Sequence, residues 1–303
     1  MMGKRSSDPG VKIEFENYRL LFEKYLETST ESRNRGVPKK LSESMDYSLF
    51  AGGKRLRPVL CLAAAERCGC SPDDALPLAL GFEMLHTATL IHDDLPCMDN
   101  DDMRRGKPSN HAVFGETIAV LAGDALLALA LEYPLCRSKN IPPQNLLKAM
   151  QIFSSAIGPS GVCGGQMMDM DNSQGENDPD YVRKIASLKT GTLIRAALTA
   201  GAALGTEDEE VLGLYYAYGT HIGSAFQIID DMLDVSATAE ELGKTPGKDA
   251  EQGKITHVSV YGMKKSYEMA SEEARLARDS IIGILPDDDF LSKMPEYLLR
   301  RTH

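Results

Sequence analysis

Leu90-Ile91-His92-Asp93-Asp94-Leu95-Pro96-Cys97-Met98-Asp99 and Phe226-Gln227-Ile228-Ile229-Asp230-Asp231-Met232-Leu233-Asp234 share one pattern, an apolar run that ends in a cluster of aspartates. Each run reads as a buried helix, and each cluster falls where that helix leaves a core. Like charges gathered there are unfavourable unless something cationic neutralises them. Ligands made only of oxygen favour a hard ion such as Mg²⁺, which keeps waters and shares its shell with substrate phosphates. Two clusters facing one cavity would therefore hold a diphosphate between them. Asp230 and Asp234 are four apart and project from one helix face, with Asp231 beside them. In the first cluster Pro96 bends or ends the helix, so Asp93 and Asp99 can converge although helical spacing alone would not align them. Either cluster taken singly reads equally well as a solvated helix end. Asp287-Asp288-Asp289, after Pro286, reads as a capping surface turn.

Basic residues flank both clusters. Gly52-Gly53-Lys54-Arg55-Leu56-Arg57-Pro58 opens a helix, where backbone amides and cationic side chains can meet one anion. Arg104-Arg105-Gly106-Lys107 follows the first cluster, and Lys244 and Lys254 follow the second. The chain of 303 residues has a formal charge of −11 and no basic stripe, which argues against nucleic-acid binding. Metal ions can invert the local charge of an acidic phosphate-binding protein. Six cysteines lie scattered among apolar residues without a zinc-like spacing, as expected of reduced thiols in a cytoplasmic protein. No secretory signal is read at the N-terminus. The apolar stretch Thr117 to Leu131 is too short to span a bilayer and contains Asp124, so no membrane span is expected.

Helical spacing dominates the rest, and hairpin-bounded alternation is nearly absent. The predicted helices are Val11 to Glu31, Lys39 to Phe50, Leu56 to Cys68, Pro72 to His92, Gly115 to Leu135, Asn145 to Met170, Tyr181 to Leu204, Glu207 to Val235, Val258 to Ile282 and Phe290 to Arg300. Ser71-Pro72-Asp73-Asp74 has a cap residue and a proline at the first helical position. The loops Ser173 to Pro179 and Ser236 to Gly253 read as mobile. Residues 1–303 form one all-α domain in this reading, with 1–16 as a flexible tail.

These motifs, together with Arg104-Arg105-Gly106-Lys107-Pro108 and Lys189-Thr190-Gly191, resemble the short-chain trans-isoprenyl diphosphate synthases, which include farnesyl and geranylgeranyl diphosphate synthases. The resemblance runs in family order from about Asn17 to Arg301. It implies a single helical bundle around a central apolar cavity, and a Mg²⁺-dependent prenyltransferase of isoprenoid biosynthesis, with Mn²⁺ as a substitute. The substrates it implies are isopentenyl diphosphate and an allylic diphosphate, and the assembly a homodimer. Matched residue by residue, Asp93, Asp94 and Asp99, with Asp230, Asp231 and Asp234, would bind metal. Arg104, Lys189, Lys244 and Lys254 would grip the allylic diphosphate; Lys54, Arg57, His86 and Arg105 would bind isopentenyl diphosphate. Thr190 and Gln227, with Lys189, would act near the reacting carbons. No nucleophilic side chain is required, since metal and cationic groups stabilise charge on the departing diphosphate.

The product would grow away from Asp93, so Ala88 and Thr89, about a turn earlier, are the expected floor. Farnesyl-making bacterial relatives usually carry an aromatic ring at the Ala88 position. The small residues here favour geranylgeranyl diphosphate over farnesyl diphosphate. A class I terpene cyclase would usually replace the second aspartate cluster and carry more aromatics; this chain keeps both clusters, has no Trp and is 6% aromatic. An inactive regulatory subunit of a heteromeric synthase would typically lose an aspartate motif.

Overall fold

The computed structural model describes residues 9–171, 179–236 and 256–300. The larger helices are α1 (Pro9–Thr28), α3 (Lys39–Leu49), α4 (Leu56–Arg67), α5 (Pro72–Asp93), α7 (Glu116–Arg137), α8 (Pro143–Ile157) and α9 (Val162–Met170). They continue with α10 (Pro179–Ala186), α11 (Thr192–Gly205), α12 (Glu209–Ser236), α13 (His257–Ser280) and α14 (Phe290–Leu299). Short turns α2 (Thr30–Arg33) and α6 (Asn110–Phe114) link them. The fold is all-α, as the sequence predicts. A two-stranded hairpin, Met103–Arg104 with Lys107–Pro108, turns through Arg105 and Gly106 at positive φ, inside what the sequence reads as a loop.

Helix α5 is the axis. The Ser71 hydroxyl accepts the Asp74 N–H at 3.2 Å and Pro72 opens the helix, so both expected start signals operate. From Ala75 to Leu85 every residue is buried, because α5 is packed by α1, α3, α4, α7 and α11. Small residues let these helices approach. A Cβ on Gly81 would lie 2.8 Å from the Ala130 carbonyl oxygen of α7, and one on Gly201 of α11 would lie 2.4 Å from the Cys61 carbonyl oxygen of α4. Such contacts leave no room for a methyl group.

Several boundaries differ from the sequence reading. Residues 9–16, read as tail although the helical spacing starts at Val11, belong to α1 and bury Val11 and Phe15 in the core. The predicted helix Asn145 to Met170 is interrupted at Gly158–Gly161. Between α10 and α11, Ser187–Gly191 forms one π-helical turn, so the chain stays helical but widens. Gly262, at φ 74°, kinks α13. Helix α7 reaches 22 residues, longer than the apolar run read from the sequence, and is long and apolar enough to cross a bilayer by length and composition alone. Here it buries Ala119, Ala122, Leu126 and Ala130 within the fold instead. The expected mobile loops fall largely outside the described residues.

Replacing Gly201 by Ala is expected to destabilise the fold by about 1–3 kcal/mol in chemical denaturation, because backbone rather than a flexible side chain blocks the added carbon. A change of a few tenths would show that α4 and α11 part freely.

Candidate active site

A cavity of about 860 Å³ lies beside α5 and is closed by α7, α8, α9 and α11. Its lining on α5 runs from Leu85 to Asp93, about 12 Å at 1.5 Å per residue. Leu85, Leu127, Ile157, Val162 and Leu193 supply apolar wall, and Arg57, His86, Asp93, Lys189 and Thr190 supply the polar groups. An apolar chain with a charged head fits this division of surface.

After α5 the chain folds back on itself. The Asp99 N–H donates to the Asp93 carbonyl at 2.8 Å, and the Asp101 N–H to the Asp94 carbonyl at 3.1 Å. Asn100 turns the corner at φ 49°. Asp99 is thereby brought to Asp93, as the Pro96 break predicts. Burial pushes the Asp93 carboxyl up to about 6; Lys189 and Arg104 oppose the rise, while Asp99 and Asp94 add to it. Asp94 points elsewhere. Its side chain is sealed, and Arg104 Nε lies 2.9 and 3.2 Å from its two oxygens. Asp94, expected to help bind metal, and Arg104, expected to grip diphosphate, are thus committed to each other.

Lys189 and Thr190 sit on the π turn, which presents both to the cavity. A Cβ on Gly165 of α9 would stand 2.3 Å from the Lys189 nitrogen, so the turn and α9 touch backbone to backbone. Lys189 Nζ lies 2.5 Å from Asp169 Oδ2. Burial alone would lower its pKa, but Asp169 and then Asp93 outweigh it and hold the ammonium charged.

On the other side a cationic patch forms around the start of α4. Arg57 and His86 line the cavity. Burial lowers the Arg57 guanidinium to about 10, with Glu83 and Asp230 opposing. His86 is held well below the usual imidazole range by burial and by Arg57, Arg105, Arg104 and Arg55, so it is neutral at physiological pH. Arg105 donates to the Gly52 carbonyl and lies 3.8 Å from Glu83. Glu83 is fully buried and is held mainly by Arg55, at 2.6 Å. Lys54 reaches Asp230 at 3.4 Å and lies over the Phe226 ring at 5.4 Å. The four residues expected to bind isopentenyl diphosphate therefore surround one patch, with Asp230 on its border.

In the second cluster the three aspartates differ. Asp230 is partly exposed beside Lys54, while Asp231 and Asp234 are buried. Asp231 accepts from Gln227 Nε2 at 2.7 Å, from the His257 N–H at 2.9 Å and from His257 Nδ1 at 2.8 Å. Gln227, expected near the reacting carbons, is thus engaged with Asp231 instead. Lys244 and Lys254 lie outside the described residues. Of the expected floor pair, only Thr89 reaches the cavity wall. Ala88, one residue before it, has no exposed surface. Asp169, Glu83 and His257 were not singled out from sequence; the Gln166 to Asp169 spacing of three was the available sign for the first, since both face this region.

Among the described residues no three carboxylate, imidazole or thiol groups close into a metal cage of their own. Asp93 with Asp99, and Asp230 across the patch, offer oxygen donors on partial rims. That arrangement suits an ion that completes its shell with water and substrate phosphate.

The polyprenyl synthetase family model matches residues 38–281. The chain belongs to the polyprenyl synthetase family. It is 46% identical over 279 residues to a dimethylallyltranstransferase of Fischerella ambigua, covering 92% of this chain and 80% of that protein. It is 44% identical over 258 residues to a geranylgeranyl diphosphate synthase of Cyanophora paradoxa, covering 84% and 86%. A Helicobacter pylori geranyltransferase, solved with magnesium and isoprenyl diphosphate, superposes with a TM-score of 0.81 at 30% identity over 98% of each chain. The chain is a transferase enzyme of this family.

A carboxyl whose pKa is raised on folding favours the folded state when protonated. Its penalty is absent below the unfolded value and grows as pH rises to about 6. Without divalent ions, Asp93→Asn is therefore expected to melt higher than the wild type above pH 6, with the gap closing toward pH 4. A constant gap across that range would contradict the buried charge.

Proposed function

We propose that this enzyme condenses isopentenyl diphosphate with an allylic diphosphate in trans and releases diphosphate, with geranylgeranyl diphosphate as the product. The cavity carries this reading: Asp93, Lys189 and Arg57, from three different elements, all line one largely apolar space. Bound Mg²⁺, or Mn²⁺ in its place, would neutralise the diphosphate and stabilise the charge it gains on leaving. Asp93, Asp99 and Asp230 would hold it. Lys189, kept charged by Asp169, faces the same phosphate oxygens. Arg57, Arg105 and Lys54 would hold isopentenyl diphosphate, with neutral His86 donating or accepting a hydrogen bond beside them. As the allylic carbon–oxygen bond breaks, the double bond of isopentenyl diphosphate attacks the allylic cation. The released diphosphate takes the proton that the new chain loses. Thr190 presents its oxygen dipole to the cation, and the apolar wall keeps water from trapping it.

Length is set where the chain meets side chains. Ala88 has no exposed surface, so the floor on α5 is assigned to Thr89 and Leu85, faced by Leu127, Ile157 and Leu193. No aromatic ring stands among these, which supports the twenty-carbon product; farnesyl diphosphate is the alternative. A homodimer is proposed from the outer face of α7, where Val120 and Leu121 are 40% and 49% exposed and Leu135 is 55% exposed. A cytoplasmic setting is proposed from six free thiols.

Purified enzyme given labelled isopentenyl diphosphate and each allylic primer should yield mainly twenty-carbon alcohol after dephosphorylation, only with a divalent ion. Thr89→Phe should shift the product toward fifteen carbons. Fifteen-carbon product from the wild type would overturn the length, and no turnover would overturn the reaction. Sedimentation should show a dimer that Leu121→Glu dissociates; a wild-type monomer would contradict the assembly.

A further inference from the structure

The aspartates of the second cluster do not share one task, and the contacts of Asp231 show why. Its Oδ1 accepts the Gln227 side-chain amide from one turn earlier on α12. Its Oδ2 accepts both the main-chain N–H and the ring Nδ1 of His257. Asp231 and His257 are 6% and 3% exposed. Three donors on one buried carboxylate, two of them from another helix, leave little of it to offer a metal ion. The Nδ1 donation also fixes the tautomer, since a carboxylate can only accept.

The local sequence builds this contact. Thr256 caps α13: its hydroxyl accepts the Ser259 N–H at 3.2 Å, and its own N–H donates to Ser259 Oγ at 2.9 Å. His257 then occupies the first helical position, where a main-chain N–H has no partner within its own helix. Asp231 supplies that partner and places a negative charge at the positive end of α13. The ring adds the second bond. Asp231 thus ties the end of α12 to the start of α13, on the same helical turn that carries Asp230 and Asp234.

We infer that His257 is a positioning residue for the second aspartate cluster: its imidazole holds Asp231 as an interhelix anchor, which aims Asp230 at the metal-bound diphosphate, and Asp231 itself is not a direct metal ligand. The inference rests on the proposed function, in which this rim serves a metal-bound allylic diphosphate. Removing the ring would leave the main-chain bond and free the carboxylate to turn. The isopentenyl diphosphate patch meets the cluster only at Asp230, through Lys54 at 3.4 Å, and takes no part in the Asp231–His257 contact.

Calorimetry on the full chain separates the possibilities. The probes are an unreactive allylic bisphosphonate with Mg²⁺, and an unreactive thio-analogue of isopentenyl diphosphate without metal. His257→Phe should weaken metal-dependent bisphosphonate binding about tenfold to a hundredfold, the range found for groups that orient metal ligands, and His257→Asn, whose amide nitrogen can replace Nδ1, should recover most of it. The thio-analogue should lose far less affinity than the bisphosphonate in every variant, and all should melt as folded proteins. In the Asp231→Asn background, His257→Phe should add little, because the two act through one contact. Unchanged bisphosphonate binding by His257→Phe would overturn the inference, as would failure of His257→Asn to recover it. Equal weakening of both probes would reduce His257 to a structural role and also overturn it. A wild type that binds the bisphosphonate without any metal dependence would instead overturn the functional reading beneath it.

Discussion

Charge with too little water around it governs this molecule. Asp93 ends a helix buried along most of its length, and its carboxyl is pushed up to about 6 mainly by that burial. Arg57 and His86 are shifted the other way by the same cause. Opposite charges could in principle cancel by direct pairing, and some do, as in Asp94 with Arg104 and Glu83 with Arg55. The groups that line the cavity are only partly offset by their neighbours. In the proposed reaction a metal-bound diphosphate would supply what each side lacks, its oxygens meeting the cations and its metal ions the aspartates. Binding thus draws on a mismatch already stored in the fold.

The apolar cavity and the close helix contacts use neighbouring stripes of the same helix. On α5, Gly81 and His92 press on α7, where a Cβ on Gly123 would stand 2.0 Å from His92 Nε2, and His92 also borders the cavity. Leu85, Thr89 and Asp93 form the stripe that faces the cavity. The rotation of α5 therefore decides which residues the growing product can touch. Tight packing on one side fixes that rotation, and Gly81 and Gly123 allow the packing to be tight.

Much of this was readable in the chain. Helical periodicity gave α4 as Leu56 to Cys68 against the observed Leu56–Arg67, and α7 as Gly115 to Leu135 against Glu116–Arg137. Pro96 signalled the fold-back that joins Asp99 to Asp93. Features that depend on partners from other elements were hidden. The burial of Ala88 depends on how other helices cover α5, and the pairing of Asp94 with Arg104 depends on how the hairpin turns. His257 follows Lys254 and Thr256 in sequence with nothing to mark it, because its role exists only when α13 is laid along α12. The π turn at Ser187–Gly191 was likewise invisible, since a helix widened by one residue keeps nearly the same apolar spacing.

In the proposed reaction two acidic rims would serve one diphosphate at the mouth of one apolar cavity. The most direct measurement is a crystal structure of the protein with Mg²⁺ and an unreactive allylic thiolodiphosphate. The expected result has metal ions bound to Asp93 and Asp99 on one side and to Asp230 on the other, with the hydrocarbon tail running past Thr89 toward Leu85. Metal on a single rim, or a tail lying outside the cavity, would contradict it.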